Sequence, residues 1–263
     1  MADILETIVA YKKQEVEEFK KELSLDVLVE RAAILTNARV VPMSSALRQS
    51  NKGIIAEFKR KSPSKGWINK DAAANVVPIS YERNGATALS ILTDSKFFGG
   101  SNAHIRIARA SKVSIPILYK NFIIDEYQIY QAKLCGASAI LLIAAILTPQ
   151  ECSQFIQKAH ELEMEVLLEM HNEAETEYAA LGPDMCGINN RNLGSFDVDV
   201  MNSFQLIERL PAEAVKVSES GILDPTTVTQ LRSVGYNGFL VGTNFMMQPD
   251  PGLALNAFLS QIW

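Results

Sequence analysis

The 263-residue sequence predicts an α/β protein of the single (β/α)8, or TIM-barrel, class with an N-terminal helical extension. Three observations carry that prediction: short apolar, β-branched runs recur about every 20 to 35 residues, helix-patterned stretches separate them, and the length suits one barrel-type domain. In order the runs are "GIIAEF", "ATALSIL", "SIPILY", "ASAILLI", "MEVLLE", "DMCGIN", "AVKVSE" and "GFLVG", which makes eight strands. Strict alternation of strand and helix implies parallel pairing. Between strands, "DEYQIYQAKLCG" and "PTTVTQLRSVG" are amphipathic and close on the glycine expected just past a helix end. Ahead of the first strand, Asp3 is placed to cap a helix with Glu6 three residues on. Leu5, Ile8, Val9, Val16 and Phe19 then keep a helical period, and a second helical pattern covers Leu25 to Leu35. Residues 1 to about 50 are therefore expected to be the helical extension of one domain spanning 1–263, since no Pro/Gly-rich linker or low-complexity tract divides the chain.

Composition excludes several classes of function. Net charge is −5 with acidic and basic residues interleaved, so the one-sided basic footprint of a nucleic-acid binder is missing. The longest strongly apolar stretch, Ala139 to Leu147, falls far short of the roughly 18 residues that span a bilayer. "MADILETIVAYKK" lacks the basic and apolar regions of a signal peptide, so no membrane association and no export are expected. Cys135, Cys152 and Cys186 are odd in number and not spaced as metal pairs, which suits buried thiols in a reducing cytoplasm. His104, His160 and His171 show no paired ligand spacing and read as surface or core residues, and Met246 and Met247 read as core packing.

Strand parity locates the chemistry. Side chains alternate between faces, so Ile55, Glu57 and Lys59 share one face while Ala56 and Phe58 share the other. The same parity groups Leu118 with Lys120, Leu167 with Glu169, Gly187 with Asn189 and Arg191, and Val217 with Glu219. In each strand apolar layers give way to a polar group at the carboxyl end, the rim where barrel enzymes keep their catalytic residues. Salt bridges across the barrel top are the structural alternative, but so many ionisable groups on different strands exceed what packing needs. Strands seven and eight run into "VSESGI" and "LVGTNFM", where Ser220, Gly221, Gly242 and Thr243 offer hydroxyls and unobstructed backbone N–H groups. That pair of loops is a common barrel phosphate site, though each motif alone is also an ordinary glycine turn.

Together, "IIAEFKRKSPSKG", "LSILTDSKFFGGS", "ILYKNFI", "LLEMH", "GINNRNL", "SESGI" and "GFLVGT" stand in the order and spacing of the indole-3-glycerol phosphate synthase family, which the chain resembles from about residue 1 to its end. The resemblance implies ring closure of 1-(2-carboxyphenylamino)-1-deoxy-D-ribulose 5-phosphate to indole-3-glycerol phosphate, with loss of carbon dioxide and water, in L-tryptophan biosynthesis. It implies no cofactor and no metal, a small-molecule phosphosugar-anthranilate substrate, and a cytoplasmic enzyme. Association with other tryptophan-pathway enzymes is left open. By its motifs, Lys120 resembles the general acid that protonates the ribulose carbonyl, and Glu169 the proton-transfer partner of later steps. Lys59, paired with Glu57, is similar to the family's second lysine, near the substrate carboxylate. Asn189 and Arg191 would hold hydroxyl and carboxylate groups, and Glu219 would orient the lysines. Ser220, Gly221, Gly242 and Thr243 would take the phosphate, and Phe98, Phe122 and Leu141 would wall the aromatic ring. Ser62 matches the family's site serine, on a stretch "RKSPSKG" expected to be a mobile lid.

Two residues depart from the family pattern: Asn121 stands where an aspartate is usual and Thr243 where a serine is usual. Thr243 keeps the hydroxyl. Asn121 removes a charge that would raise the pKa of Lys120. Two other functions share these features. A phosphosugar isomerase or Schiff-base aldolase also uses a barrel, a phosphate site and a lysine, and borohydride trapping separates it. A binding protein without turnover is the other, against which the set Lys59, Lys120 and Glu169 argues.

Overall fold

The computed structural model describes residues 4–35, 42–192 and 194–262. All eight apolar runs form strands: β1 Ile54–Phe58, β2 Ala88–Leu92, β3 Ile117–Lys120, β4 Ala139–Ile143, β5 Glu165–Met170, β6 Met185–Asn189, β7 Val215–Glu219 and β8 Gly238–Val241. They pair in parallel, each with its neighbours in sequence, and β8 closes on β1. The parity expected from sequence holds. Ile55, Leu118, Leu141, Leu167, Val217 and Leu240 pack together inside the barrel, whereas Ala56, Phe58, Ile140, Leu168 and Phe239 belong to the layer between sheet and helices. Buried aliphatic side chains of this kind contribute roughly 1.5–3 kcal/mol each, so a slip of one residue in any strand would be strongly disfavoured.

Three helices precede the barrel: α1 Ile4–Glu22, α2 Leu25–Ile34 and α3 Met43–Gln49. Leu35 is the extended cap of α2, and the cap expected at Asp3 lies outside the described residues. Met43 and Leu47 of α3 are fully buried and join the inner apolar cluster, which seals the barrel end opposite the catalytic rim. The helix Glu126–Cys135 starts at a reciprocal Asp125–Gln128 capping box and stops at Gly136, whose φ of 87° is left-handed. Pro225–Ser233 ends in the same way, with Gly235 at φ 114° just beyond it. Cys135, Cys152 and Cys186 are buried and free. Among the described residues, no helix is long and apolar enough to cross a membrane.

Candidate active site

The polar ends of the strands meet at the carboxyl mouth of the barrel. Lys120 Nζ, on β3, lies 2.9 Å from Glu169 Oε2 on β5 and 2.5 Å from Glu219 Oε2 on β7. Asn189 Nδ2, on β6, donates to the other oxygen of Glu169 at 2.9 Å. Just past β1, Lys59 Nζ pairs with Glu57 Oε1 at 2.5 Å, and Ser90 Oγ donates to Glu57 Oε2 at 3.5 Å. The ladder sets these positions, since Asn189 is the register partner of Glu219, and Gly187 that of Glu169. Gly187 also makes room: a Cβ there would lie 2.9 Å from Glu219 Oε1.

The electrostatics follow from burial and from the carboxylate-rich surroundings. Burial works to lower the pKa of Lys120, but Glu169, Glu219 and Glu57 outweigh it and push the ammonium above its ordinary value. The proton on Lys120 is therefore secure at neutral pH even with the neutral Asn121 beside it. For Glu169 burial works upward, yet Lys120, His171 and Asn189 hold the carboxyl below its usual range. Glu219 goes the other way. Burial, with Glu169 and Glu57 nearby, raises it, and its Oε1 accepts no hydrogen bond among the described residues. One carboxylate is thus kept ionised while its neighbour is poised to take up a proton, the kind of separation that acid–base chemistry uses.

The cavity above these groups has a volume of about 330 Å³. Phe98, Phe122, Leu141, Leu92 and Ile143 supply apolar wall, with the Phe98 and Phe122 ring centroids 5.9 Å apart. Arg191 reaches the cavity from the turn after β6, steadied by a 3.0 Å hydrogen bond from its guanidinium to Phe196 O. Ser220, Gly221, Gly242 and Thr243 line the opposite side, after β7 and β8. Ser62 stands apart from this lining. It is buried in a short antiparallel hairpin, Lys61–Ser62 with Gly66–Trp67, where its Oγ accepts from Lys65 N at 3.2 Å. Lys65, at the hairpin tip, is the residue of that segment after Lys59 that lines the cavity.

A family model described as indole-3-glycerol phosphate synthase matches residues 5–258. The chain belongs to that family. It is 53% identical over 262 residues to an indole-3-glycerol phosphate synthase of Bacteroides thetaiotaomicron, with 100% of both chains covered. It is 42% identical to one of Polaromonas sp., with 97% of both covered. Among solved structures, 3-hexulose-6-phosphate synthase from Salmonella typhimurium superposes with a TM-score of 0.62 at 14% identity, covering 80% of this chain and all of that one. Tryptophan synthase subunit alpha from Legionella pneumophila gives 0.61 at 13% identity, covering 84% and 96%. These two likenesses speak for the barrel fold alone. As a member of the indole-3-glycerol phosphate synthase family, the chain is a decarboxylating lyase of tryptophan biosynthesis that acts on a phosphosugar.

The synthase site includes residues that the sequence reading passed over. His171, expected to be only a surface or core residue, has Nε2 3.2 Å from Glu169 Oε1 and Nδ1 3.1 Å from Glu175 Oε2. The signal was available, since His171 continues the inward parity of Leu167 and Glu169 beyond the strand end. Leu5 of α1 also lines the cavity, a contact across the whole chain that no local pattern announces. Met246 is fully buried as expected, but Met247 is exposed and its Sδ lies 3.7 Å from Lys65 Nζ.

Proposed function

We propose that Lys120 protonates the ribulose carbonyl as the anthranilate ring carbon attacks it, the first step in closing the indole ring of 1-(2-carboxyphenylamino)-1-deoxy-D-ribulose 5-phosphate. The observation that carries this reading is the Lys120 ammonium, ion-paired to both Glu169 and Glu219 on the floor of a cavity with apolar walls. A fixed cation there stabilises charge developing on the carbonyl oxygen and then delivers its proton. Phe98, Phe122 and Leu141 would hold the ring, and the Lys59–Glu57 pair, across the mouth, would meet the carboxylate that leaves as carbon dioxide. The attacking ring carbon carries the carboxylate and no hydrogen, so carbon dioxide leaves it. The ionised Glu169 suits the later step, taking a proton from the methylene carbon of the new ring as water departs, while Glu219 holds Lys120 in place. Loss of water thus requires a donor and an acceptor, which the two lysines and Glu169 supply.

Asn189 and Arg191 would take the substrate's hydroxyl and carboxylate groups, and Ser220, Gly221, Gly242 and Thr243 its phosphate, with Ser62 fixing the turn that carries Lys65. The barrel and the preceding helices are proposed to act as one domain, supported by Leu5 reaching the cavity. A cytoplasmic setting is supported by the buried free thiols. The test is direct: indole fluorescence should appear when the carboxyphenylamino substrate is added to the purified protein, with one carbon dioxide released per indole. Borohydride added during turnover should trap no adduct on Lys120 or Lys59, and a trapped Schiff base would overturn the reading.

A further inference from the structure

Ser220 is a non-glycine residue at φ 67°, in the left-handed region that L side chains rarely adopt. It sits where β7 leaves the catalytic cluster for the loop assigned to phosphate, so something must hold it there. That group is Asn190. Its side chain is 3% exposed and does not line the cavity. Its Nδ2 donates to Ser220 O at 3.0 Å and to Ser218 Oγ at 3.1 Å, while its backbone N–H donates to Glu219 O at 2.9 Å. On its other side, Ser203 donates to Asn190 Oδ1 from both its backbone N–H, at 3.1 Å, and its hydroxyl, at 2.8 Å. Three successive residues of the β7 exit are thus tied to one buried residue, two of them through its side-chain amide and Glu219 through its backbone N–H.

The consequence lies in the next peptide plane. The C=O of Ser220 and the N–H of Gly221 belong to one trans peptide and point in opposite directions. Turning the carbonyl inward onto Asn190 therefore turns the Gly221 N–H away from it. Among the described residues no acceptor takes that N–H, and Gly221 lines the cavity. A Cβ on Gly221 would lie 2.6 Å from Cγ1 of Val198, which also lines the cavity, so this position has room only for glycine. We propose that Asn190 is the positioning residue of the anion cradle, fixing Ser220 so that the Gly221 N–H faces the phosphate of the substrate. The assignment rests on reading this cavity as a phosphosugar site, and it adds a residue that touches no substrate.

The test uses inorganic phosphate as the probe, by calorimetry, beside steady-state kinetics. Asn190→Ala should weaken phosphate binding about tenfold and raise KM by a similar factor, with kcat changed less than about threefold. Ile156→Ala, a cavity in the outer layer that lowers stability by packing alone, should leave phosphate affinity and KM unchanged. If Asn190→Ala does not fold, Asn190→Ser, which keeps a hydroxyl for Ser203, is measured in its place. Phosphate binding equal to wild type in the folded variant would overturn the proposal, as would loss of kcat at constant KM or a wild-type protein that binds no phosphate. A wild-type protein that binds phosphate but closes no ring would instead refute the functional reading, leaving the calorimetric comparison to support Asn190.

Discussion

A Cβ at Gly242 would lie 2.4 Å from Glu57 Oε1, so this glycine is needed for more than an open approach to the phosphate. Gly242→Val should both raise KM and lower kcat, because the new side chain displaces the Glu57 carboxylate that holds Lys59. A rise in KM with kcat untouched would show that Glu57 can move without consequence. His171 yields a prediction in pH. Burial works against its proton, but Glu169 and Glu175 raise its pKa to about 9. Its unfolded value is about 6.5, so the stability from this pairing is fully present below pH ~6.5 and is lost as pH rises through about 9. Wild type should therefore exceed His171→Asn by up to about 3 kcal/mol at pH 6, and the gap should close by pH 10 in urea titrations. A gap independent of pH would mean that His171 is neutral in the folded state. Parity made Glu57, Lys120, Glu169 and Glu219 legible in the sequence, because a strand end fixes where its side chains point. His171 was less legible: it continues the parity of Glu169 but lies just past the end of β5, where alternation is a weaker guide to direction.

At the scale of elements, the eight strands were legible from apolar runs, but the hairpin after β1 was not. Its strands are two residues each, Lys61–Ser62 and Gly66–Trp67, too short for any period to show. Trp67 holds the hairpin in place: it packs on Gly99 of the loop after β2, where a Cβ would lie 2.9 Å from the indole ring. The same loop carries Phe98 into the cavity and sets Phe97 edge-on to Tyr11 of α1, with ring centroids 5.7 Å apart. We propose that this hairpin closes over bound substrate. Lys65 is exposed at its tip while Ser62 is buried, so trypsin should cut after Lys65 in the free enzyme and be blocked by a phosphate-bearing product analogue. Pro63→Gly should raise the rate of that cut and lower kcat/KM more than it lowers Tm. Equal cleavage with and without the analogue would identify a rigid turn.

Across the whole molecule, the mouth also draws on α1, a segment distant in sequence from the strands, and local pattern did not foretell that part of it. Lys12 of α1 is 1% exposed and pairs with Glu15 at 2.5 Å and with Asp94 at 2.8 Å, and Asp94 Oδ1 in turn accepts the N–H groups of Phe97 and Phe98. Lys12→Met should leave two buried carboxylates uncompensated, costing about 3–5 kcal/mol, and should raise KM as the Phe98 loop loosens. Preserved stability and KM would mean that α1 is only a cover. The barrel itself converges on one group, the Lys120 ammonium held by carboxylates from β5 and β7. The most direct test is Lys120→Met, which keeps the volume of the stem and removes the proton. Indole formation from the carboxyphenylamino substrate should fall by about 10³-fold or more, with the circular dichroism spectrum retained and substrate affinity within about threefold of wild type. Turnover within tenfold of wild type in that folded variant would contradict the assignment of Lys120 as the proton donor.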